Sequence, residues 1–429
     1  MKLQQDNQGL LDGYRVLDLT EHGCLLGGKI LGDMGADVIK IEPPGGSPTR
    51  NMGPFYKDIP HREKSLFWFA LNTSKRGITL DIEQADGKAL FKKLVETADI
   101  VLESFPPPYM KSQSLSYAHL CRVKPDIIMT SITPFGQTGP YTNYKAADLT
   151  IWAMGGMLGL CGDNDRPPVQ HSHPQSSYHG GAQGAVGAMV ALYHREASGE
   201  GQHVDVSMQQ AVVLTLMNAV EIGDLLKLSP PRPSPDGITL GQRQPPHEPL
   251  PGRGRWKVKD GFIAWTHLLA GGSQQGMVRS TTELVKWMEE DGLAGDLTGY
   301  DWSGFDTATI PTEIIEHQAE LFKKFFLTKT KREILDRAAS RGILLGAYRT
   351  TKDIAECPHL AVREFFTQVD HPELEDAITY PGAWAKIDQA PWRISRRAPL
   401  IGEHNRDIFG TELGISEEQL GILKEQGII

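Results

Sequence analysis

The segment PQSSYHGG, residues 174–181, brings together a hydroxyl and an imidazole, the groups that serine nucleophiles use in acyl transfer. Ser177 and His179 lie two positions apart at the predicted start of a helix. Residues at i and i+2 of a helix do not face one another, so this spacing disfavours a hydrogen bond from base to nucleophile. His171 and His173 are alternative bases. These residue types allow hydrolysis or isomerisation of an acyl group, but their spacing does not favour it.

Charged side chains just upstream offer a second kind of site. Lys145 and Asp148 lie three positions apart, so Lys145 is either a partner for a phosphate or one half of a surface charge pair. Asp148 also suits the cap of a helix predicted from Leu149 to Met154. Asp163 and Asp165, in the polar turn CGDNDRPP, are typical of a solvated hairpin.

An α/β scaffold is predicted to position these side chains, and the N-terminal segment indicates it most clearly. Residues 16–46 contain an apolar run, the glycine pair Gly27-Gly28 at a helix start, and a second apolar run ending in Glu42. This pattern predicts a βαβ unit, whose ligands usually lie at the carboxyl ends of its strands. A dinucleotide site with Glu42 on the ribose is the rival interpretation. It is disfavoured because the turn of residues 21–24 lacks the G-x-G-x-x-G spacing.

Apolar runs and amphipathic segments keep alternating through the first half of the chain. The strand GITLDI, a helix over residues 85–98 and the strand IVLESF predict a second βαβ unit. Residues 124–131 predict another strand. Residues 180–193 are small, apolar and uncharged, which predicts a buried helix that packs closely against a neighbour.

Prolines separate this half from a smaller domain. SPPRPSPDG and RQPPHEPLPGRGR prevent regular structure, so residues 228–256 are interpreted as a linker. Helical patterns at residues 280–290 and 314–326 follow it, and the C-terminal tail is predicted to rejoin the first domain. The expected organisation is a large domain from residues 1–225 and 343–429, with the linker and a small α+β domain at 226–342.

Composition limits the classes of function. The 429 residues are 40% hydrophobic with a net charge of -9, which suits a large core and offers no surface for nucleic acid. Four widely spaced cysteines without a C-x-x-C pair imply neither a disulfide framework nor a zinc site, and no metal is expected. No apolar run is long enough to span a membrane, so we expect no membrane association and a cytoplasmic location.

An ordered set of segments resembles the class III CoA-transferase family, which includes formyl-CoA transferase, carnitine CoA-transferase and the acyl-CoA racemases. The segments are VLDLT, GADVIKIEPPGG, SKRGITLD, ADIVLESF, SITPFGQTGPY, YHREASGEGQHVDVSM, FFTQVDHPE and PLIGEHNRDIFGTELG. Each segment alone is weak evidence, but the set is specific. The resemblance covers nearly the whole chain and fails mainly between residues 225 and 342.

This resemblance implies a Rossmann-like large domain made from both chain ends, an inserted small domain, and two subunits interlocked as a dimer. It also implies coenzyme A or an acyl-CoA as substrate, bound at the carboxyl edge of the sheet, and a small carboxylic acid as the second substrate. An aspartate of the family attacks the thioester to give a mixed anhydride and then an aspartyl-CoA thioester. A carboxylate suits this role because it is ionised at neutral pH and its acyl adduct stays reactive.

The resemblance also assigns roles to individual residues. It implies that Asp148 is an acid near the reaction centre. The residues implied to contact CoA are His22, Leu80, Ser104, Phe105 and Lys145.

Two departures put the catalytic machinery in doubt. The family's nucleophilic aspartate aligns with Ser177, and no acid lies nearby in the sequence. Family transferases often close a glycine-rich loop over the thioester, but here the segment ITLGQRQPPHEPLPGRGR mixes glycines with prolines. Proline fixes its own φ and restrains the preceding residue, so this loop could not hinge in the same way.

Three hypotheses follow. In the first, the chain is one subunit of a heteromeric CoA-transferase whose homologous partner carries the aspartate. A two-subunit family member acting on succinyl-CoA and benzylsuccinate is the precedent, which makes succinyl-CoA and a benzylsuccinate-like acid the candidate substrates. In the second, a homodimer uses Ser177 or His179 in altered acyl-CoA chemistry. In the third, the chain binds CoA without catalysis.

Overall fold

The computed structural model describes residues 9–163, 165–227, 232, 254–265, 274–304, 310–388, 390 and 392–429. The chain divides into two compact units: a larger one of Met1–Gly155, His171–Thr215 and Pro358–Ile429, and a smaller one of Gly156–Gln170 and Leu216–Cys357. Domain boundaries at residues 225 and 342 stay predictions. Apart from Arg232 and residues 254–256, the predicted linker and the loop of dispersed glycines and prolines lie outside the described residues.

The strands of the described residues form three sheets. They are β1 (Arg15–Leu19), β2 (Asp37–Glu42), β3 (Lys75–Thr79), β4 (Ile100–Glu103), β5 (Ile128–Thr133), β6 (His203–Ser207), β7 (Arg255–Val258), β8 (Gly261–Trp265), β9 (Leu345–Ala347), β10 (Phe366–His371) and β11 (Asp376–Pro381). Strands β7, β8 and β9 form one antiparallel sheet, and β10 pairs with β11.

The helices connect and cover these sheets. They are α1 (Leu25–Asp33), α2 (Leu66–Leu71), α3 (Ala85–Glu96), α4 (Pro108–Ser112), α5 (Tyr117–Leu120), α6 (Asp148–Met154), α7 (Ser176–Ser198), α8 (Met208–Leu214), α9 (Met217–Leu226), α10 (Gln274–Glu290), α11 (Thr312–Phe326), α12 (Lys331–Arg341), α13 (Thr351–Ala355), α14 (Pro358–Val362) and α15 (Glu417–Glu425). A π-helical segment, Arg406–Glu412, precedes α15. No described helix is both long and apolar enough to cross a membrane.

The larger unit is built on a six-stranded sheet with the order β3-β2-β1-β4-β5-β6, in which every neighbouring pair is parallel. The predicted α/β class with a Rossmann-like sheet is therefore confirmed. Strand β1 lies between β2 and β4, so the strand order reverses there. Such a reversal leaves a crevice at the carboxyl ends of the two strands, where ligands of open α/β sheets bind.

Both faces of this sheet are buried, which explains its nearly continuous apolar runs. Val16, Val38 and Ile100 pack on one face against the alanines of α7. Leu17, Ile39 and their neighbours pack on the other face with residues of α3. Alternate side chains of each strand therefore enter different cores, and this requirement fixes the register of the sheet.

Helix α7 packs very closely against α1 and the turn before it. A Cβ at Gly181 would lie 3.0 Å from the carbonyl oxygens of Gly23 and Cys24, and one at Gly27 would lie 2.9 Å from that of Gly181. Residues with side chains would force the two backbones apart. The composition of this helix predicts that it is buried, but one face is open to solvent. On that face, Val186 and Val190 are 54% and 64% exposed. Small residues mark only the side that touches the sheet.

The smaller unit has its own core, made mainly of aromatic side chains. Trp265 contacts Phe322 with ring centroids 4.7 Å apart, and the ring of Trp256 lies 5.5 Å from that of Trp265. Residues of β7, β8, α10 and α11 supply this cluster. The helical patterns in the sequence around residues 280–290 and 314–326 correspond to α10 and α11.

Candidate active site at the sheet switch point

Two turns meet at the carboxyl ends of β1 and β4. The N–H of Glu21, after β1, donates to the Oγ of Ser104, after β4, at 2.9 Å. The N–H of Phe105 donates to the Oε2 of Glu103 at 2.8 Å. The first bond holds the two turns side by side, and the second shapes the turn after β4. Ser104 and Phe105 therefore lie at the edge where a ligand of this sheet would bind.

The turn after β1 is held in an unusual conformation. His22 has a φ of 53°, in the left-handed region that few residues other than glycine adopt. Its N–H donates to Thr49 Oγ1 at 3.1 Å, and its ring is exposed. The carboxylate of Glu21 accepts hydrogen bonds from the hydroxyls of Ser47 and Thr49. This backbone is therefore fixed by several contacts rather than by the His22 side chain.

Ser177 lies directly against this turn. It is the second residue of α7, and a Cβ at Gly23 would collide with its Oγ and lie 2.9 Å from the N atom of Tyr178. Glycine at position 23 therefore lets the first turn of α7 reach the switch point. This turn contains no acidic residue.

Asp148 approaches the same end of α7. Its Oδ1 accepts hydrogen bonds from the N–H of Gln175 at 2.9 Å, and from the N–H and hydroxyl of Ser176 at 2.7 and 2.6 Å. The carboxylate thus satisfies free N–H groups at the start of α7 and complements its dipole. Capping of its own helix, one interpretation of the sequence, is not what is found, because α6 starts at Asp148 with Ala147 as its N-cap residue.

The histidines near Ser177 do not form a catalytic pair with it in the described residues. Ser177 and His179 both lie in α7, where positions i and i+2 point in different directions. No hydrogen bond joins the Ser177 hydroxyl to a described histidine. The ring of His171 instead contacts Trp152, with centroids 5.6 Å apart, and His173 is exposed.

The other predicted contacts for CoA are spread along the same edge. Lys145 is exposed in the loop after β5 and forms no ion pair with Asp148 or with any other described residue. The Phe105 ring stacks on Tyr109, with centroids 4.3 Å apart. Leu80 is only 2% exposed within the hydrophobic core, and its N–H donates to the Glu42 carbonyl oxygen. Its contact with a nucleotide stays a prediction.

Glu103 is a site residue that the sequence did not single out. It is 2% exposed, and burial raises the pKa of its carboxyl to about 7, although hydrogen bonds from Ser131 and Phe105 oppose the shift. The signal was present in the sequence as an acid within the apolar strand IVLESF. Acids are rarely buried without a partner, so its position at a strand end pointed to a polar site.

Cys24 lies in the turn after β1, beside this crevice, and its thiol is buried. Burial raises its pKa, and the carboxylates of Asp18, Glu103 and Glu21 raise it further. A thiol in such surroundings stays protonated and unreactive. The part of the chain that the structure describes holds no group of three or more histidine, cysteine or acidic side chains suited to a metal ion.

Comparison with known proteins identifies the family to which this chain is similar. The family model described as CoA-transferase family III matches residues 11–405. The chain is 30% identical over 430 residues to the succinyl-CoA:(R)-benzylsuccinate CoA-transferase subunit BbsE of Thauera aromatica, with 97% of each chain covered. It is 31% identical over 423 residues to the formyl-CoA:oxalate CoA-transferase of Streptomyces coelicolor, covering 98% of this chain and 99% of that protein.

A solved structure supports the fold. The crystal structure of a CAIB/BAIF family protein from Brucella suis matches with a TM-score of 0.78 and 24% sequence identity. The match covers 95% of this chain and 100% of that one.

Proposed function

Because the chain belongs to CoA-transferase family III, we propose that it is one subunit of a heteromeric CoA-transferase whose homologous partner supplies the nucleophilic aspartate. The enzyme moves CoA between an acyl-CoA and a free carboxylic acid. This chain contributes the scaffold, a CoA edge and a serine in place of the nucleophile. The direct test is whether the chain turns over substrate only when a second subunit is present.

The observation that carries the proposal is the environment of Ser177. It lies in the first turn of α7 against Gly23, beside the crevice between β1 and β4, and this turn has no acidic residue. A neutral hydroxyl without a hydrogen-bonded base cannot form the mixed anhydride that a carboxylate forms. The position that the family resemblance assigns to the nucleophile is therefore occupied by a residue unsuited to the reaction.

Asp148 does not replace the missing nucleophile in this proposal. Its Oδ1 already accepts three hydrogen bonds from Gln175 and Ser176. Attack by this carboxylate would weaken the contacts that hold α7 in place. We therefore assign Asp148 the role of a positioning residue that fixes the helix on which Ser177 lies.

The candidate substrates are succinyl-CoA and a benzylsuccinate-like acid. The support is similarity to a subunit whose name gives succinyl-CoA and (R)-benzylsuccinate as the substrates of its enzyme. That name also identifies the relative as a subunit, which agrees with a heteromer.

The CoA edge is proposed to run along His22, Leu80, Ser104, Phe105 and Lys145. Lys145 is exposed and unpaired among the described residues, so its ammonium is available to a phosphate. Lys145→Ala should weaken CoA binding by about 1 to 3 kcal/mol, the usual range for a charged hydrogen bond. Calorimetric titration of the assembled enzyme with CoA measures the change, which should shrink at high salt.

Lys93→Ala is a matched control for this measurement. Lys93 is an exposed lysine in the last turn of α3, which leads into the amino end of β4. Its removal lowers the net charge equally but should leave CoA affinity unchanged. Equal losses from both variants would assign the effect to overall charge. If the wild-type chain bound no CoA in an enzyme whose partner binds it, the proposed edge would be wrong.

Assembly into an obligate dimer is part of the proposal. On the free face of α7, Val186, Val190 and Tyr193 are 54%, 64% and 82% exposed, at the spacing of one helical stripe. Such a stripe usually marks an interaction site. Interlocked subunits should bury far more than the roughly 1,600 Å² of an ordinary interface. Light scattering should therefore find no monodisperse, folded monomer at low micromolar concentration, and finding one would reject the dimer.

The alternative of a homodimer with altered chemistry has less support. It requires Ser177 or His179 to act as a nucleophile or base, yet no described histidine bonds to the Ser177 hydroxyl. A base outside hydrogen-bond reach cannot activate a serine. A protein that binds CoA without catalysis would need no partner subunit. The test of whether turnover requires a second subunit therefore also separates these hypotheses.

A further inference from the structure

The six-stranded sheet of the larger unit ends at β3, which pairs with β2 alone among the described strands. An edge strand of this kind presents N–H and C=O groups that can pair with another chain. The N–H of Leu80, just after β3, donates to the Glu42 carbonyl oxygen on β2. Backbone groups of alternate residues point to opposite sides of a strand, so those of Gly77 and Thr79 point away from the sheet. These buried residues need hydrogen-bond partners outside the sheet.

A segment near the end of the chain, residues 393–405, runs along this edge, and we call it the strap. Its last residues, GEHN, belong to one of the segments by which the sequence resembles CoA-transferases. The Arg396 carbonyl oxygen accepts the N–H of Ser74, just before β3, at 2.9 Å. Further along, a Cβ at Gly77 would lie 2.8 Å from ring atoms of Pro399. The strap belongs to the same compact unit as β3 and covers its free edge.

Two side chains of the strap take the place that the backbone of a further strand would occupy. The N–H of His404 donates to the Gly77 carbonyl oxygen at 2.9 Å, and its ring Nδ1 accepts the N–H of Gly77 at 3.1 Å. Asn405 contacts Thr79 in a similar way. Its Oδ1 accepts the N–H of Thr79 at 2.9 Å, and its Nδ2 donates to the Thr79 hydroxyl at 2.8 Å. Both outward N–H groups therefore have acceptors, and one acceptor is a titratable ring.

The ring of His404 accepts this hydrogen bond only while it is neutral. A neutral imidazole has one acceptor nitrogen, whereas both nitrogens of an imidazolium are donors. Protonation would place two donors, the ring Nδ1–H and the N–H of Gly77, against each other. The buried N–H would then lack an acceptor, which is unfavourable. The contact between Asn405 and Thr79 does not change with pH, because a side-chain amide does not titrate.

The surroundings of His404 keep its ring neutral in the folded chain. Burial lowers the pKa of His404 below its ordinary value of 6.5. The positive charges of Arg396 on the strap and Arg76 on β3 act in the same direction, while Glu403 and, on the π-helical segment, Asp407 oppose it. The unfolded chain therefore takes up a proton before the folded chain does. The contribution of the neutral ring to stability is complete above about pH 6.5 and is lost as the pH falls below that value.

We propose that the strap seals the free edge of the six-stranded sheet, and that His404 makes this seal sensitive to pH. A neutral ring closes the edge at Gly77 against pairing with other chains, and an imidazolium opens it there. The contact of Asn405 with Thr79 stays closed in both states. The inference is independent of the proposed function, since it requires neither CoA nor a second subunit.

Amide hydrogen exchange of the full chain, followed by mass spectrometry of peptides that span β3, tests the proposal. His404→Asn keeps an acceptor near the position of Nδ1 but does not titrate. At about pH 8, this variant and the wild-type chain should exchange equally in β3. At about pH 5, the wild-type peptides should exchange about threefold faster or more, the effect of losing one hydrogen bond. Comparison of the two chains at the same pH removes the intrinsic pH dependence of exchange.

Three further variants define the origin of the effect. His404→Ala removes the acceptor at every pH, so β3 should exchange faster than in the wild-type chain even at about pH 8. Asn405→Ala should increase exchange at both pH values, because it removes an acceptor that does not titrate. His359→Asn is the matched control, since His359 is exposed on α14, and it should exchange as the wild-type chain does at both pH values.

Three outcomes would overturn the inference. Equal exchange in the wild-type chain and His404→Asn at about pH 5 would rule out the pH-sensitive seal. Equal exchange in the wild-type chain and His404→Ala at about pH 8 would show that the ring protects nothing. An equal effect of His359→Asn and His404→Asn at about pH 5 would assign the response to overall charge. Thermal unfolding identifies variants that are folded, and if His404→Ala is not, the comparison with His404→Asn decides.

Discussion

Purified alone, the chain is expected to transfer no CoA between carboxylic acids, and activity should appear when a homologous partner carrying an aspartate is added. Ser177 is neutral and has no hydrogen-bonded base, so it cannot give the anhydride through which a carboxylate works. Transfer from succinyl-CoA to an acceptor acid, followed by chromatography of the two thioesters, measures the difference. Robust turnover by the isolated chain, free of other subunits, would rule out the heteromer.

Two variants at position 177 sharpen this prediction. In the assembled enzyme, Ser177→Ala should change the rate little, whereas Asn in place of the partner's aspartate should cost about a thousandfold or more. Ser177→Asp in the isolated chain should create measurable transfer, because Ser177 is partly exposed beside the crevice and the substitution restores a carboxylate there. A thousandfold loss from Ser177→Ala would instead identify the serine as the nucleophile.

Lys75→Met should destabilise the larger unit by about 3 to 5 kcal/mol, the usual cost of removing one partner of a buried ion pair. The Lys75 ammonium bonds to Asp18 Oδ2 at 2.8 Å, to the Leu25 carbonyl oxygen at 2.9 Å and to Asn72 Oδ1 at 3.0 Å. Both charged side chains of the pair are fully buried. The substitution leaves the Asp18 carboxylate in the core, where the positive charge of Lys40 still acts on it.

The pKa values of this pair agree with that expectation. Burial lowers the pKa of Lys75 to about 8, although Asp18 opposes the shift. Burial would raise the pKa of Asp18, but the positive charges of Lys75 and Lys40 hold it below its ordinary value. The two groups therefore stay ionised at neutral pH only because they are together.

Urea unfolding at fixed protein concentration measures the loss, with Lys124→Met as the matched control. Lys124 bonds to Asp126 at 2.8 Å in a pair that is partly exposed, so its removal should cost about 0 to 1 kcal/mol. Equal destabilisation by the two variants would show that the buried pair contributes no more to the free energy of unfolding than the partly exposed pair. Asp18 also accepts hydrogen bonds from the N–H and hydroxyl of Thr20. Removing Lys75 should therefore also destabilise the turn that leads from Thr20 to Glu21.

Much of the fold could be predicted because it depends on local patterns. The apolar runs of β1 and β2 and the glycines of α1 gave the first βαβ unit, since a strand buried on both faces needs continuous apolar residues. The burial of α7 was less predictable. Its small residues indicated close packing, but composition does not say which side of a helix meets a neighbour.

Some features of the candidate site could likewise be predicted from the sequence, and others could not. The resemblance to CoA-transferases predicts that Ser104, Phe105 and Ser177 belong to one site, and this stays a prediction; in the structure, Ser104 and Phe105 follow β4, and Ser177 lies against Gly23 in the turn after β1. The sequence left open whether Lys145 and Asp148 pair with each other. They do not, because the Asp148 carboxylate is taken by the N–H groups of α7, 27 and 28 positions away in the chain.

The sequence by itself determined the βαβ alternation, the family resemblance and the absence of an acid at position 177, all of which depend on residue types at fixed spacings. Only the tertiary structure decided the surroundings of each group. It brought Gly23 against Ser177, placed Lys75 beside Asp18 in the core, and buried Glu103 so that its pKa rises to about 7. The physical reason is that solvation, hydrogen bonding and charge pairing depend on neighbours distant in the chain, and no local pattern encodes which neighbours meet.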